Sequence, residues 1–131
     1  MKRRIWVDAA DTAAYHAEVI AEHGGTLGVR DRGLLESALA RPQNLAAYGQ
    51  PNAFELAAAY AYGITRNHPF VDGNKRVALV ASVTFLELNG SHFGATEEEA
   101  AMAFLELAGG KMTENEIARW LKENCRKVPK K

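Results

Sequence analysis

The sequence predicts an all-α protein, a single compact bundle of six helices around a buried central helix at about residues 74–89. Three observations predict it. Apolar residues recur at helical spacing along most of the 131 residues, and no segment sustains the period-two alternation of a half-buried strand. Helix-start signals recur as well: Asp8 and Asp31 can each cap a helix, and Asn52 with Glu55, Thr96 with Glu99 and Thr113 with Glu116 have capping-box spacing. Finally, Val77, Ala78, Leu79, Val80, Ala81, Val83, Phe85, Leu86 and Leu88 leave the stretch from Asn74 to Asn89 hardly any polar face. A helix of that kind is enclosed by others.

Taken in order, Ile5-Trp6-Val7 is a short extended piece, and the first helix runs from Asp8 to about His23, where Gly24-Gly25 stops it. The connection Gly24 to Arg30 holds three of the chain's glycines close together and serves either as a lid or target-docking flap or as an ordinary loop. Asp31 opens a short helix to Ala40 that ends ahead of Pro42, leaving Arg41-Pro42-Gln43 as a turn. That turn and Tyr48 are candidate borders of a pocket, although helix ending and packing account for them equally. A third helix covers Phe54 to Asn67, and Pro69 ends it, lacking an amide proton and clashing with the preceding turn. Cys125 reads as a thiol on the C-terminal helix. Trp6, Trp120, Tyr60 and Tyr62 read as packing groups, and His16, His23 and His92 lack partners at ligand spacing.

With 47% apolar residues, a chain this long suits one domain over residues 1–131, able to bury roughly two-thirds of its unfolded surface. The net charge is zero and the cations form no one long stripe, with Lys2-Arg3-Arg4 at one end and Arg126, Lys127, Lys130 and Lys131 at the other. Such ends read as solvated tails, and the absence of a concentrated basic stripe disfavours nucleic-acid binding. No apolar run approaches the ~20 residues that span a bilayer, and the N-terminal charges precede no signal-peptide core. One cysteine makes no internal disulfide. The expectation is a cytoplasmic protein without membrane contact.

The chemistry concentrates in His68-Pro69-Phe70-Val71-Asp72-Gly73-Asn74-Lys75-Arg76. The helix restarting at Asn74 leaves its first amide protons without partners, and its dipole adds partial positive charge there. Gly73 admits a close backbone approach, and Lys75 and Arg76 add mobile cations, so Gly73, Asn74, Lys75 and Arg76 suit the oxygens of a di- or triphosphate. Cations in a first helical turn oppose the dipole, which an anionic ligand would offset. Asp72 would repel that ligand unless a hard cation such as Mg²⁺ lay between them, and the Asn74 amide can turn toward the same metal or phosphate while capping its helix. His68, at the mouth of the turn, can act as general base near neutral pH; alone it would read as a helix-end histidine. Phe70 reads as an anchor of the turn and Arg66 as a surface arginine.

The stretch resembles the signature of the Fic/Doc family, HxFx(D/E)GNxR, with His68, Phe70, Asp72, Gly73, Asn74 and Arg76 in register. Gly28-Val29-Arg30-Asp31 and the run from Gly33 to Gln43 are similar to the early segment of the Doc branch, so the likeness covers most of the chain. Two departures separate it from the adenylylating Fic pattern GNGRxxR: Lys75 replaces the second glycine and Leu79 stands at the second arginine.

Doc-type proteins share that lysine. The resemblance implies that ATP binds in a reversed sense and that its γ-phosphate passes to a threonine or serine hydroxyl, the family's target being a threonine of elongation factor Tu. It also implies a toxin–antitoxin pair with a Phd-type antitoxin. The expected cofactors are ATP and Mg²⁺, with His68 catalytic, Gly73, Asn74, Lys75 and Arg76 on the nucleotide, and Asp72 and Asn74 on the metal. The alternatives are a Fic-type adenylyltransferase and a nonenzymatic module that binds a nucleotide or a partner.

Overall fold

Side-chain caps decide where most helices begin in this computed structural model, which describes residues 3–128. Asp8 accepts a hydrogen bond from the Asp11 amide and starts α1 (Ala9–His23). Asp31 accepts from the Leu34 amide and starts α2 (Arg32–Tyr48). Asn52 and Glu55 form a reciprocal box at the head of α3 (Ala53–Asn67). The next helix, α4 (Asn74–Leu88), has Gly73 at its cap position and no side-chain cap. It leads into β1 (Ser91–Phe93). The Thr96–Glu99 and Thr113–Glu116 boxes then open α5 (Glu97–Ala108) and α6 (Glu114–Glu123), and β2 (Cys125–Lys127) follows. Each filled cap contributes about 1 kcal/mol.

The second helix departs from the expectation. α2 runs through Pro42 to Tyr48 rather than stopping at Ala40, so Arg41-Pro42-Gln43 is helical and no turn exists there. An interior proline removes one backbone bond and crowds the carbonyl four residues back, at a cost of ~3 kcal/mol in an isolated helix. Here Leu35, Ala38, Leu39 and Pro42 are buried, and α2 lies along α3. Tertiary packing therefore carries the helix across its break.

α3 is the most enclosed element, with Leu56, Ala57, Ala58, Ala59, Tyr60, Ala61 and Ile64 all buried, and it packs on α2, α4, α5 and α6. α4 packs on α3, α1, α5 and β1, so the apolar helix foreseen in the sequence shares the centre with α3. The extended N-terminal segment is bound on both edges of this core. The Tyr60 hydroxyl accepts from the Val7 amide (2.9 Å) and donates to the Val7 carbonyl (3.0 Å), and Asn89 exchanges two bonds with Ile5. Burial pushes the Tyr60 hydroxyl up to about 12, which keeps it a donor.

β1 and β2 form a small antiparallel pair, Ser91 opposite Lys127 and Phe93 opposite Cys125. Strands of three residues are too short to register as alternation. Cys125 thus lies on a strand and not, as expected, on a helix; burial pushes its thiol up to about 11. The tails expected at Lys2, Lys130 and Lys131 lie outside the described residues.

α2 and α3 approach most closely at Gly63, where an added β-carbon would stand 3.2 Å from the Ala38 Cα and 3.3 Å from its carbonyl oxygen. Because the obstacle is backbone, Gly63→Ala should lower stability by about 1 kcal/mol although alanine is the better helix former. Thermal unfolding checks this; a raised midpoint would mean that α2 yields readily.

Candidate functional site

The turn between α3 and α4 is built around Asn74. This side chain is only 7% exposed, and its amide closes a ring with one residue: Oδ1 accepts from the Phe70 amide (2.9 Å) while Nδ2 donates to the Phe70 carbonyl (2.9 Å). Phe70 itself is buried. The turn is thereby pinned through both backbone polar groups of Phe70. His68 sits at the C-cap of α3 in the left-handed region (φ 47, ψ 57), which turns the chain out of the helix and leaves the residue exposed. Left-handed backbone costs a residue with a β-carbon roughly 1–2 kcal/mol. The His68 Nδ1 lies 3.5 Å from Asn74 Nδ2, a long contact that places the ring beside the start of α4.

A second segment, residues 25–31, is strapped across the turn. Val29 and Phe70 form an antiparallel bridge, Val71 donates its amide to the Gly28 carbonyl (3.0 Å), and the Arg30 and Asp31 amides share the Pro69 carbonyl. The Asp72 carboxylate accepts from the Thr26 amide (2.7 Å). Beneath the strap, His16 is 3% exposed, stacks on Phe70 with ring centroids 4.3 Å apart, and accepts through Nε2 from the Gly28 amide (2.9 Å). Its proton therefore resides on Nδ1, which is buried without a partner. Burial lowers the His16 pKa, opposed by the Asp72 carboxylate. The glycine-rich connection is thus fastened to the motif rather than loose, and it presents Leu27 (63% exposed) and Val29 (43% exposed) beside it.

The expected site residues are gathered unevenly. His68, Asp72, Gly73 and Asn74 share the one turn. His68 also borders a hollow of about 620 Å³ with Tyr62, Arg66, Leu107 and Met112. Lys75 and Arg76 face the other way, lining a hollow of about 410 Å³ between α1, α4 and α5 with Glu22, Glu97 and Phe104. Both cations are exposed and form no ion pair among the described residues. Gly73 adopts positive φ (80), and an added β-carbon would stand 3.1 Å from Val19 Cγ1, so its missing side chain also admits α1. Arg66 is exposed, as expected, and with Arg41 flanks the Tyr62 ring. The motif's partners Thr26, Arg30 and His16 are not evident from the sequence. Their contacts join residues far apart in the chain, 46 positions for Thr26–Asp72 and 38 for Arg30–His68, and so leave no local pattern.

The Fic/DOC family profile matches residues 6–86, more than half of the chain, from the extended N-terminal segment into the last turn of α4. This chain belongs to the Fic/DOC family, on its Doc branch. Over 75 residues it is 49% identical to the Toxin Doc of Mycolicibacterium smegmatis, a match covering 55% of this chain and 57% of that protein. Over 85 residues it is 35% identical to the Protein kinase doc of Escherichia phage P1, covering 64% and 68%. The chain therefore spans less than two thirds of the mycobacterial relative it matches.

The electrostatics of the turn differ from those at the other helix starts of this Fic/DOC protein. Among the described helices α4 starts with a glycine cap and exposed basic side chains, where the others start on side-chain oxygens. Its first amides and dipole favour an anion. No group of three or more histidine, cysteine or acidic residues that could enclose a metal occurs among the described residues. A single carboxylate, Asp72, nevertheless fits Mg²⁺, which is commonly held by one or two carboxylates plus substrate phosphates. The Asn74 Oδ1 already serves Phe70, so a metal role would use its second lone pair.

Asn74→Ala should cost about 3 kcal/mol in chemical denaturation, because it strands the backbone amide and carbonyl of the buried Phe70. Asn74→Asp should lose nearly as much by setting a carboxylate oxygen against the Phe70 carbonyl. For His16 the folded-state pKa lies below the unfolded one, so the unfolded chain binds the proton first. Stability from this group is then whole above about pH 6.5 and is lost as pH falls from there to the lowered folded value. His16→Asn should flatten the fall in stability between pH 7 and 5, and equal slopes in the two proteins would refute this.

Proposed function

We infer that this protein transfers the γ-phosphate of ATP to a hydroxyl on another protein, acting as a Doc-type toxin of a toxin–antitoxin pair. The observation that carries this reading is the placement of His68, exposed at the end of α3, beside the uncapped N-terminus of α4. The names of the relatives, Toxin Doc and Protein kinase doc, support it. Lys75 and Leu79, standing where adenylylating Fic motifs have glycine and arginine, favour γ- over α-phosphate transfer.

In this reading the Gly73 turn and the first amides of α4 hold phosphate oxygens, and the exposed Lys75 and Arg76 side chains swing toward them from the α1 side. Asp72, with the spare lone pair of Asn74, would hold Mg²⁺, which when bound neutralises phosphate charge. His68 takes the proton of the acceptor hydroxyl as its oxygen bonds to the γ-phosphorus; the bond to the β,γ-bridging oxygen breaks and ADP leaves. Positioning and charge neutralisation supply most of the catalysis in such a transfer. The exposed Leu27, Val29 and Val71 beside the motif give an acceptor protein an apolar place to rest. Family likeness points to a threonine of elongation factor Tu as acceptor, to a Phd-type antitoxin as the restraining partner, and to the cytoplasm as the compartment.

Purified protein, elongation factor Tu and ATP labelled at either the α- or the γ-position test the reading. Label should move from the γ-position only, and His68→Ala should slow transfer by about a hundredfold or more while leaving ATP affinity nearly unchanged. Transfer of α-label would instead make the protein an adenylyltransferase, and ATP binding without transfer of either label would make it a binding module.

A further inference from the structure

We propose that Arg30 is the positioning residue for His68: its guanidinium grips the carbonyls at the end of α3 and so holds His68 in the left-handed conformation from which its imidazole projects. The inference rests on His68 being the proton acceptor. Three successive carbonyls converge on this one arginine. Arg30 Nη2 donates to the Asn67 carbonyl (2.8 Å), Nε donates to the His68 carbonyl (2.7 Å), and the Arg30 amide donates to the Pro69 carbonyl (2.7 Å). The His68 amide is already committed to the Ile64 carbonyl.

The arrangement answers a specific need. The last carbonyls of a helix have no intrahelical partner, and a left-handed residue at this point is usually glycine or asparagine. Here a histidine occupies the position, with φ 47, and Pro69 follows it. A β-carbon disfavours that backbone, so something outside the helix must hold it. The guanidinium is a planar fork whose two edges match neighbouring carbonyls, whereas lysine would offer a single compact charge. A cation at a helix C-terminus is also electrostatically favourable. Arg30 has no ion pair among the described residues, so its donors are directed to these carbonyls. The Val29–Phe70 bridge keeps it in register from the adjacent residue.

The test uses the full chain, isotope-labelled, as wild type, Arg30→Ala and Arg30→Lys. Four quantities are measured on each: the His68 backbone chemical shifts and amide coupling, ATP affinity, the thermal midpoint, and the rate of γ-label transfer to elongation factor Tu at saturating ATP. In Arg30→Ala, His68 should lose its left-handed signature and transfer should fall by about tenfold or more with ATP affinity within about twofold. Methylguanidinium added in solution should restore part of the rate, and Arg30→Lys should fall between. An unchanged His68 signature in Arg30→Ala would overturn the proposal, as would a parallel loss of rate, affinity and thermal midpoint that methylguanidinium does not relieve. Should Arg30→Ala fail to fold, Arg30→Lys is read by the same criteria. If the wild type transfers no label, the kinase reading fails, whereas the His68 signature still decides the role of Arg30.

Discussion

The clasp between residues 25–31 and the turn at 68–72 is the contact on which the rest of this site depends. Each polar group of a backbone that leaves a helix must find a partner, and here the partners come from a segment almost forty residues earlier. The His16 ring lies under the clasp and joins it to the core, stacking on Phe70 while accepting from Gly28. An exposed histidine, a carboxylate and an open helix start thereby become neighbours of fixed geometry.

The two most enclosed helices meet at this turn, α3 ending and α4 beginning there. Their burial makes the turn rigid, since each end is anchored in close-packed side chains such as Ile64, Phe70 and Val77. Their electrostatics are opposed and complementary. The carbonyl end of α3 receives the Arg30 cation, and the amide end of α4, with Gly73 at its cap position, receives no side-chain cap among the described residues. A ligand carrying negative charge would complete the second end much as Arg30 completes the first.

Much of this was legible along the chain because it is encoded locally. Capping boxes act over three residues, and Asn52, Thr96 and Thr113 announce their helices in the sequence itself. The motif likewise packs its groups into nine residues. Pro42 misled for the opposite reason: the local cost of an interior proline was outweighed by burial of α2 on α3, which no local pattern records. Cys125 was misplaced because its strand exists only through pairing with β1, more than thirty residues away.

Sequence alone determined the helical class, most helix starts and the identity of the residues at the turn, since propensity, capping and motif spacing are properties of neighbouring residues. Tertiary structure decided how those residues face. It turned the Asn74 amide inward to brace Phe70, set Lys75 and Arg76 on the α1 side of the turn, and brought Thr26, Arg30 and His16 to the motif. Side-chain direction and long-range hydrogen bonding depend on which elements pack together, and that becomes defined only when the whole chain has closed on its core.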